Sequence, residues 1–151
     1  MRASKYNVNP KIEDRTCNGI IFDSAMEMHY YRDVVLPGME DGSIIKYEMQ
    51  KDYILQPGFT LRGKRVLPIV YKADFYIVTK DGTEHVIDVK GCPDNVALLK
   101  RKMFWYTYPD IDYQWVSYVK KYGGWIEYTE LKKLRKENKK LKEKEEKEKQ
   151  K

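Results

Sequence analysis

The chain has 151 residues, enough for one domain with a substantial core, and carries 29 Lys/Arg against 23 Asp/Glu, a net charge of +6. It has no run of about 18 apolar residues, and its first stretch, MRASKYNVNPKIEDRT, lacks an apolar segment; a transmembrane helix and a secretory signal are both excluded as expectations. Two cysteines, Cys17 and Cys92, offer neither metal-ligand spacing nor a disulfide framework and suit a reducing, cytoplasmic setting.

In chain order, residues 1 to 19 read as irregular. Ser24 then opens a helix over about residues 24 to 36, with Ser24 and Glu27 in the S-x-x-E capping pattern and Pro37-Gly38 as the stop. Met39 to Gly42 reads as a turn. Strand character follows in Ile44 to Gln50 and Tyr53 to Gln56, then in Phe59 to Leu61 and a long stretch from Arg65 to Thr79. Asp81-Gly82 signals a hairpin, with Glu84 to Lys90 as the return strand. Gly91 to Asp94 leads into a helix over 95 to 107, and Ile111 to Val119 is a further strand. Gly123-Gly124 breaks the chain before a short segment, Trp125 to Tyr128.

Residues 130 to 151 hold 11 Lys/Arg and 6 Asp/Glu, a net of +5, so residues 1 to 129 carry only +1. The division expected is a domain over 1–129 and a basic, helical tail over 130–151 whose distal half is poorly ordered. Leu131, Leu134 and Leu141 make too short a stripe for a coiled coil. Such a tail either adds salt-dependent affinity for nucleic acid or merely solubilises the chain. The element order predicts a mixed α/β fold, helices packed on a central sheet.

Two strands carry charges that a buried sheet should not. Asp74 lies in the middle of IVYKADFYIV, where an unpaired carboxylate would cost several kcal/mol. In HVIDVKG, period-2 geometry places Asp88 and Lys90 on one face. Hairpin register decides whether the aspartates meet. A two-residue loop opposes Asp74 to Val89; a three-residue loop, Lys80-Asp81-Gly82 with Gly82 left-handed, opposes Asp74 to Asp88. The longer loop is predicted. Facing carboxylates repel unless a cation lies between them, and two carboxylates, a carbonyl and water suit Mg²⁺. The alternative is a simple ion pair between Lys90 and an aspartate. Glu27 is either the capping residue or, from the apolar face with Tyr30, Tyr31 and Val34, a third acid reaching over the sheet.

The spacing of Asp74 and Asp88-Val89-Lys90 resembles the PD-(D/E)XK nuclease pattern, with Ala73 where that pattern has proline. FDSAMEMHYYRDV, LQPGF, YKADFYIV, HVIDVKG and LLKRKMFWYTYPDI, in that order over about residues 5 to 119, resemble a family of small phage and prophage proteins. That family was long catalogued as a domain of unknown function and is assigned to the same superfamily. The resemblance implies a restriction-endonuclease-like core, α-β-β-β-α-β. It implies Glu27, Asp74, Asp88 and the Val89 carbonyl as metal ligands, Lys90 as the catalytic lysine and Mg²⁺ (or Mn²⁺) as cofactor. The chemistry implied is hydrolysis of DNA phosphodiesters by in-line attack of water, and the finer expectation is resolvase-like cutting of branched intermediates such as Holliday junctions by a homodimer in the host cytoplasm. A non-catalytic DNA-binding accessory protein is the alternative. Lys100, Arg101 and Lys102 are either phosphate contacts or a solvated helix face, and FWYTY at 104 to 108 reads as core rather than as a base-stacking platform.

Overall fold

The structure, a computed structural model, describes residues 11–151; of the stretch expected to be irregular, residues 1 to 19, the first ten lie outside the described residues and the rest is ordered into a turn and a strand. After a 3-10 turn at Ile12–Arg15, β1 (Thr16–Cys17) and β2 (Ile20–Ile21) form a small antiparallel ribbon. Arg15 closes it, its Nη1 donating to the Phe22 carbonyl at 2.6 Å. Ser24 caps the next helix as the sequence predicts, its hydroxyl accepting the Glu27 amide at 3.1 Å.

That helix, α1, does not stop at Pro37. It runs without a break through Ala25–Tyr30, a π-helical turn at Tyr31–Val35, and Leu36–Asp41, ending at Gly42 with φ +82°. A proline inside an α-helix clashes with the carbonyl four residues back. The wider π turn, in which the Leu36 amide reaches the Tyr31 carbonyl, relieves that clash and lets α1 continue. Gly38 is needed for a different reason: a Cβ there would lie 2.4 Å from Ile44 Cδ1.

Five strands make the central sheet: β3 (Ile44–Gln56), then, past a separate ribbon of β4 (Phe59–Leu61) and β5 (Lys64–Val66), β6 (Ile69–Thr79), β7 (Glu84–Val89), β8 (Asp112–Val119) and β9 (Gly124–Glu127). The spatial order is β3-β6-β7-β8-β9. Only β7 and β8 run parallel, joined by α2 (Asn95–Thr107), which Asp94 caps through the Ala97 amide at 2.8 Å. The final helix is α3 (Tyr128–Lys149). The fold is mixed α/β, and α1, β3, β6, β7, α2 and β8 follow the order α-β-β-β-α-β. The sequence reading found β4 at Phe59 to Leu61, split β3 at residues 51–52, where the strand runs on past the left-handed Gln50, and merged β5 with β6.

Each face of the sheet has its own core. On one, Phe22, Met28, Tyr30, Tyr31 and Val35 meet Phe75, Ile77, Ile87 and Val116. On the other, Phe104 of α2 meets Tyr53, Tyr71, Val86, Tyr113 and Trp115. Burying each such side chain stabilises the fold by about 1.5–3 kcal/mol.

The pleat inverts in mid-strand. Tyr71 and Ala73 belong to the second core and Phe75 and Ile77 to the first, although simple alternation would keep all four on one face. The inversion falls at Asp74. The pairs Met49↔Phe75 and Lys51↔Ala73 set Gln50 opposite it, and Gln50 has φ +56°. At the far end of the β6–β7 hairpin, His85 contacts Asp112 at 2.6 Å and Thr79 at 3.2 Å, tying the loop to the parallel strand.

Candidate active site

The β6–β7 loop is the three-residue form. Thr79 and Thr83 bond across it at 3.0 Å, the Gly82 amide reaches the Thr79 carbonyl at 2.8 Å, and Gly82 has φ +83°. The ladder runs Val78↔Glu84 to Phe75↔Ile87 and ends there, one position short of Asp74 and Asp88. There the two strands part. The Val89 amide donates to the Asp74 carboxylate, Oδ2, at 2.9 Å, in place of a ladder bond. Two carboxylates thus face each other where the sheet opens, at the carboxyl end of β7.

Lys90 completes the constellation. Its Nζ lies 2.7 Å from Asp88 Oδ2, with the Asp88 side chain 4% exposed and that of Lys90 30%. Asp88 Oδ2 is buried, and this cation stands directly beside it. The Lys90 main chain is fastened to β8, its amide donating to the Val116 carbonyl at 2.9 Å and its carbonyl accepting from the buried Ser117 hydroxyl. Burial pulls the Lys90 ammonium down, but the Asp88 carboxylate outweighs it and the pKa is raised.

Glu27 reaches toward the same place from α1. It lines a cleft with Asp23, Gln50, Asp74 and the apolar Ile20, Ile21, Phe22, Met49 and Phe75. Burial first, then the charges of Asp23 and Asp88, push its carboxyl up to about 7 against the opposing pull of Ser24 and Lys90. Asp74 is raised well above the usual carboxylate range by burial, then by Asp88 and Glu27, with the Val89 amide opposing. Glu27 and Asp74 therefore resist ionising, a resistance that a bound dication would relieve. The Glu27 amide is the group that Ser24 caps, and its carboxyl feels the charge of Asp88.

Among the described residues, no group of three or more His, Cys, Asp or Glu side chains is close enough to hold a metal ion by itself. Asp74 and Asp88 offer a two-carboxylate bed, which leaves the other positions of a hard cation to backbone, water or substrate oxygen. The hard-oxygen donor set fits Mg²⁺ or Mn²⁺. The simpler alternative, an ion pair between Lys90 and an aspartate, is present at Asp88.

The three basic residues of α2 separate. Lys100 Nζ donates to the Val70 carbonyl at 2.9 Å. Arg101 stacks on Trp105 and Trp115, 4.7 and 4.2 Å from their centroids, with its Nε buried and unbonded. Lys102 is exposed. In the FWYTY run, Phe104 is fully buried while Tyr106 is 91% exposed, so only part of it is core. Gln50, Asp23 and Tyr71 were missed. Asp23 was legible four residues before Glu27; Gln50 is placed by a backbone kink that its residue type does not announce. The Tyr71 hydroxyl, buried without a partner and pushed upward by burial and by Asp88, has no sequence signal at all.

No helix among the described residues is long and apolar enough to cross a membrane. No curated protein and no solved structure matches the chain. A family model described as "Protein of unknown function (DUF1064)" matches residues 3–124, a span that includes Glu27, Asp74, Asp88 and Lys90. With most of its length so matched, the chain belongs to the DUF1064 family.

Proposed function

We propose that this chain is a Mg²⁺-dependent endonuclease of the PD-(D/E)XK type, hydrolysing DNA phosphodiester bonds. The observation that carries the reading is the meeting of Asp74, Asp88 and Lys90 where β6 and β7 diverge. Asp74 and Asp88 would hold the ion, with Glu27 acting on both through its charge. When bound, the ion polarises the phosphate and lowers the pKa of water. Lys90, held by Asp88 and by β8, presents a cation to the charge that develops on the phosphate. The finer reading is cutting of branched recombination or replication intermediates by a homodimer, with the chain in a host cytoplasm.

A second reading, a non-catalytic DNA-binding accessory protein, is favoured by the direct Lys90–Asp88 ion pair and by the absence of a closed three-ligand group among the described residues. Labelled four-way junction, flap, single-stranded and linear duplex DNA, incubated with Mg²⁺, Mn²⁺ or chelator, separates the two. Cleavage should need the metal, and Asp88→Ala should lower it at least about a hundredfold while sparing binding. Full activity in Asp88→Ala overturns the site. Binding without cleavage of any substrate establishes the accessory reading instead.

A further inference from the structure

The β4–β5 ribbon stands apart from the sheet and has no structural duty that explains its surface. Phe59↔Val66, Thr60↔Arg65 and Leu61↔Lys64 pair across it. Arg62 and Gly63, with φ +49° and +75°, make a tight two-residue turn of the I′ kind. Every residue from Phe59 to Leu67 except Val66 is exposed. Phe59, Leu61 and Leu67 are 46%, 58% and 68% exposed.

Its charge is one-sided. Residues 59 to 67, FTLRGKRVL, contain three cations and no acid. Residues 1 to 129 carry +1 in all, so the body outside the ribbon carries −2. Among the described residues, Arg62, Lys64 and Arg65 have neither an ion-pair partner nor a hydrogen bond to occupy them.

Its placement ties it to the acidic site. The β3–β6 ladder continues past the last β6–β7 pair, Phe75↔Ile87, as far as Gln56↔Ile69. It does so in the direction in which β7 ends, the end where Asp88 and Lys90 open. Helix α2 holds this arm: Lys100 Nζ donates to the Val70 carbonyl and the Tyr108 hydroxyl to that of Ile54, each at 2.9 Å, and Phe104 packs on Tyr53 and Tyr71. From Asp74 to Gly63 at the tip the chain reaches at most roughly 36 Å, at about 3.3 Å per residue. A two-stranded ribbon is one of the two elements that a B-form major groove, about 12 Å wide, admits.

We propose that the β4–β5 ribbon is a duplex-DNA-binding arm, entering the major groove with its tip while Arg62, Lys64 and Arg65 contact the flanking phosphates. The choice of duplex DNA rests on the nuclease reading of the acidic site; the ribbon's binding does not need that site to cut. The test is fluorescence anisotropy of the full chain with a labelled linear duplex in chelator, titrated at several salt concentrations. The variant is Arg62→Ser/Lys64→Ser/Arg65→Ser. Its comparator, Lys133→Ser/Lys136→Ser/Lys140→Ser, removes the same charge from exposed positions on α3.

The ribbon variant should bind at least about tenfold more weakly near 0.1 M salt, and its log K against log[salt] slope should fall by about 2–3 units. The comparator should lose clearly less, and both should melt as wild type does. Equal losses in the two variants, unchanged binding in the ribbon variant, or tighter binding to single-stranded DNA or to anionic phosphatidylglycerol vesicles overturns the proposal. Duplex binding that depends on the ribbon in a chain that never cuts defeats the nuclease reading and leaves the arm standing. Metal-dependent cutting with ribbon-independent binding does the reverse.

Discussion

Glu27 has a titration that reports on the site without any substrate. Its carboxyl is pushed from 4.5 to about 7, so between those values the folded chain holds a proton that the unfolded chain has lost. Stability of the metal-free protein must therefore fall as pH rises through that window and level off above it, by at most about 3 kcal/mol from this residue. Asp74 acts in the same direction. Thermal melts in chelator from about pH 5 to pH 8 should show the decline, and Glu27→Gln should flatten it and be the more stable protein at the alkaline end. Added Mg²⁺ should raise the wild-type melting temperature most at that end. Gln50 makes a second prediction at this scale. A left-handed non-glycine residue costs about 1–2 kcal/mol, partly offset by the greater freedom of an unfolded glycine. Urea unfolding should find Gln50→Gly more stable by about 0.5–1 kcal/mol and Gln50→Val less stable by about 1–2 kcal/mol.

At the scale of elements, the β6–β7 loop governs the site. Its three residues make Asp74 face Asp88; removing one shifts the register and sends alternate side chains to the opposite face. Deletion of Lys80 should then cost about 3 kcal/mol or more, because Phe75, Ile77 and Ile87 would leave the core they fill. Lys80→Gly, which keeps the loop length, should change the melting free energy by about 1 kcal/mol or less. This register was legible in the sequence, since Gly82 is suited to the left-handed position that the longer loop requires. The course of α1 was not, because Pro37-Gly38 reads as a stop and only the π turn lets the helix pass it.

For the whole molecule, α3 shows where the domain ends. Leu131 is 1% exposed and Leu141 58%, and Asn138 donates to the Tyr122 hydroxyl at 2.6 Å. The helix is thus part of the packed body for its first turns and projects from it afterwards. A chain ending at Lys140 should melt like the full protein. One ending at Thr129 should lose about 2–5 kcal/mol for the Leu131 contacts alone, measured by urea unfolding.

Read alone, the sequence determined the mixed α/β class, the extent of α2 and the three-residue loop that sets the β6–β7 register. Each of these follows from local causes: alternation, capping residues and turn chemistry, all of which act within a few neighbours. Only the tertiary structure decided the rest. Bringing Glu27 over the aspartates depends on α1 packing against β6 and β7, a contact between segments about fifty residues apart. Lys100 and Arg101 look like any charged pair on a helix until the fold sets one on a sheet carbonyl and the other between two tryptophans. The pleat inversion at Gln50 and Asp74, like the free-standing β4–β5 ribbon, arises from a few backbone angles that many residue types can adopt. Those angles are chosen by packing on the two faces of the sheet, not by the side chains that happen to bear them.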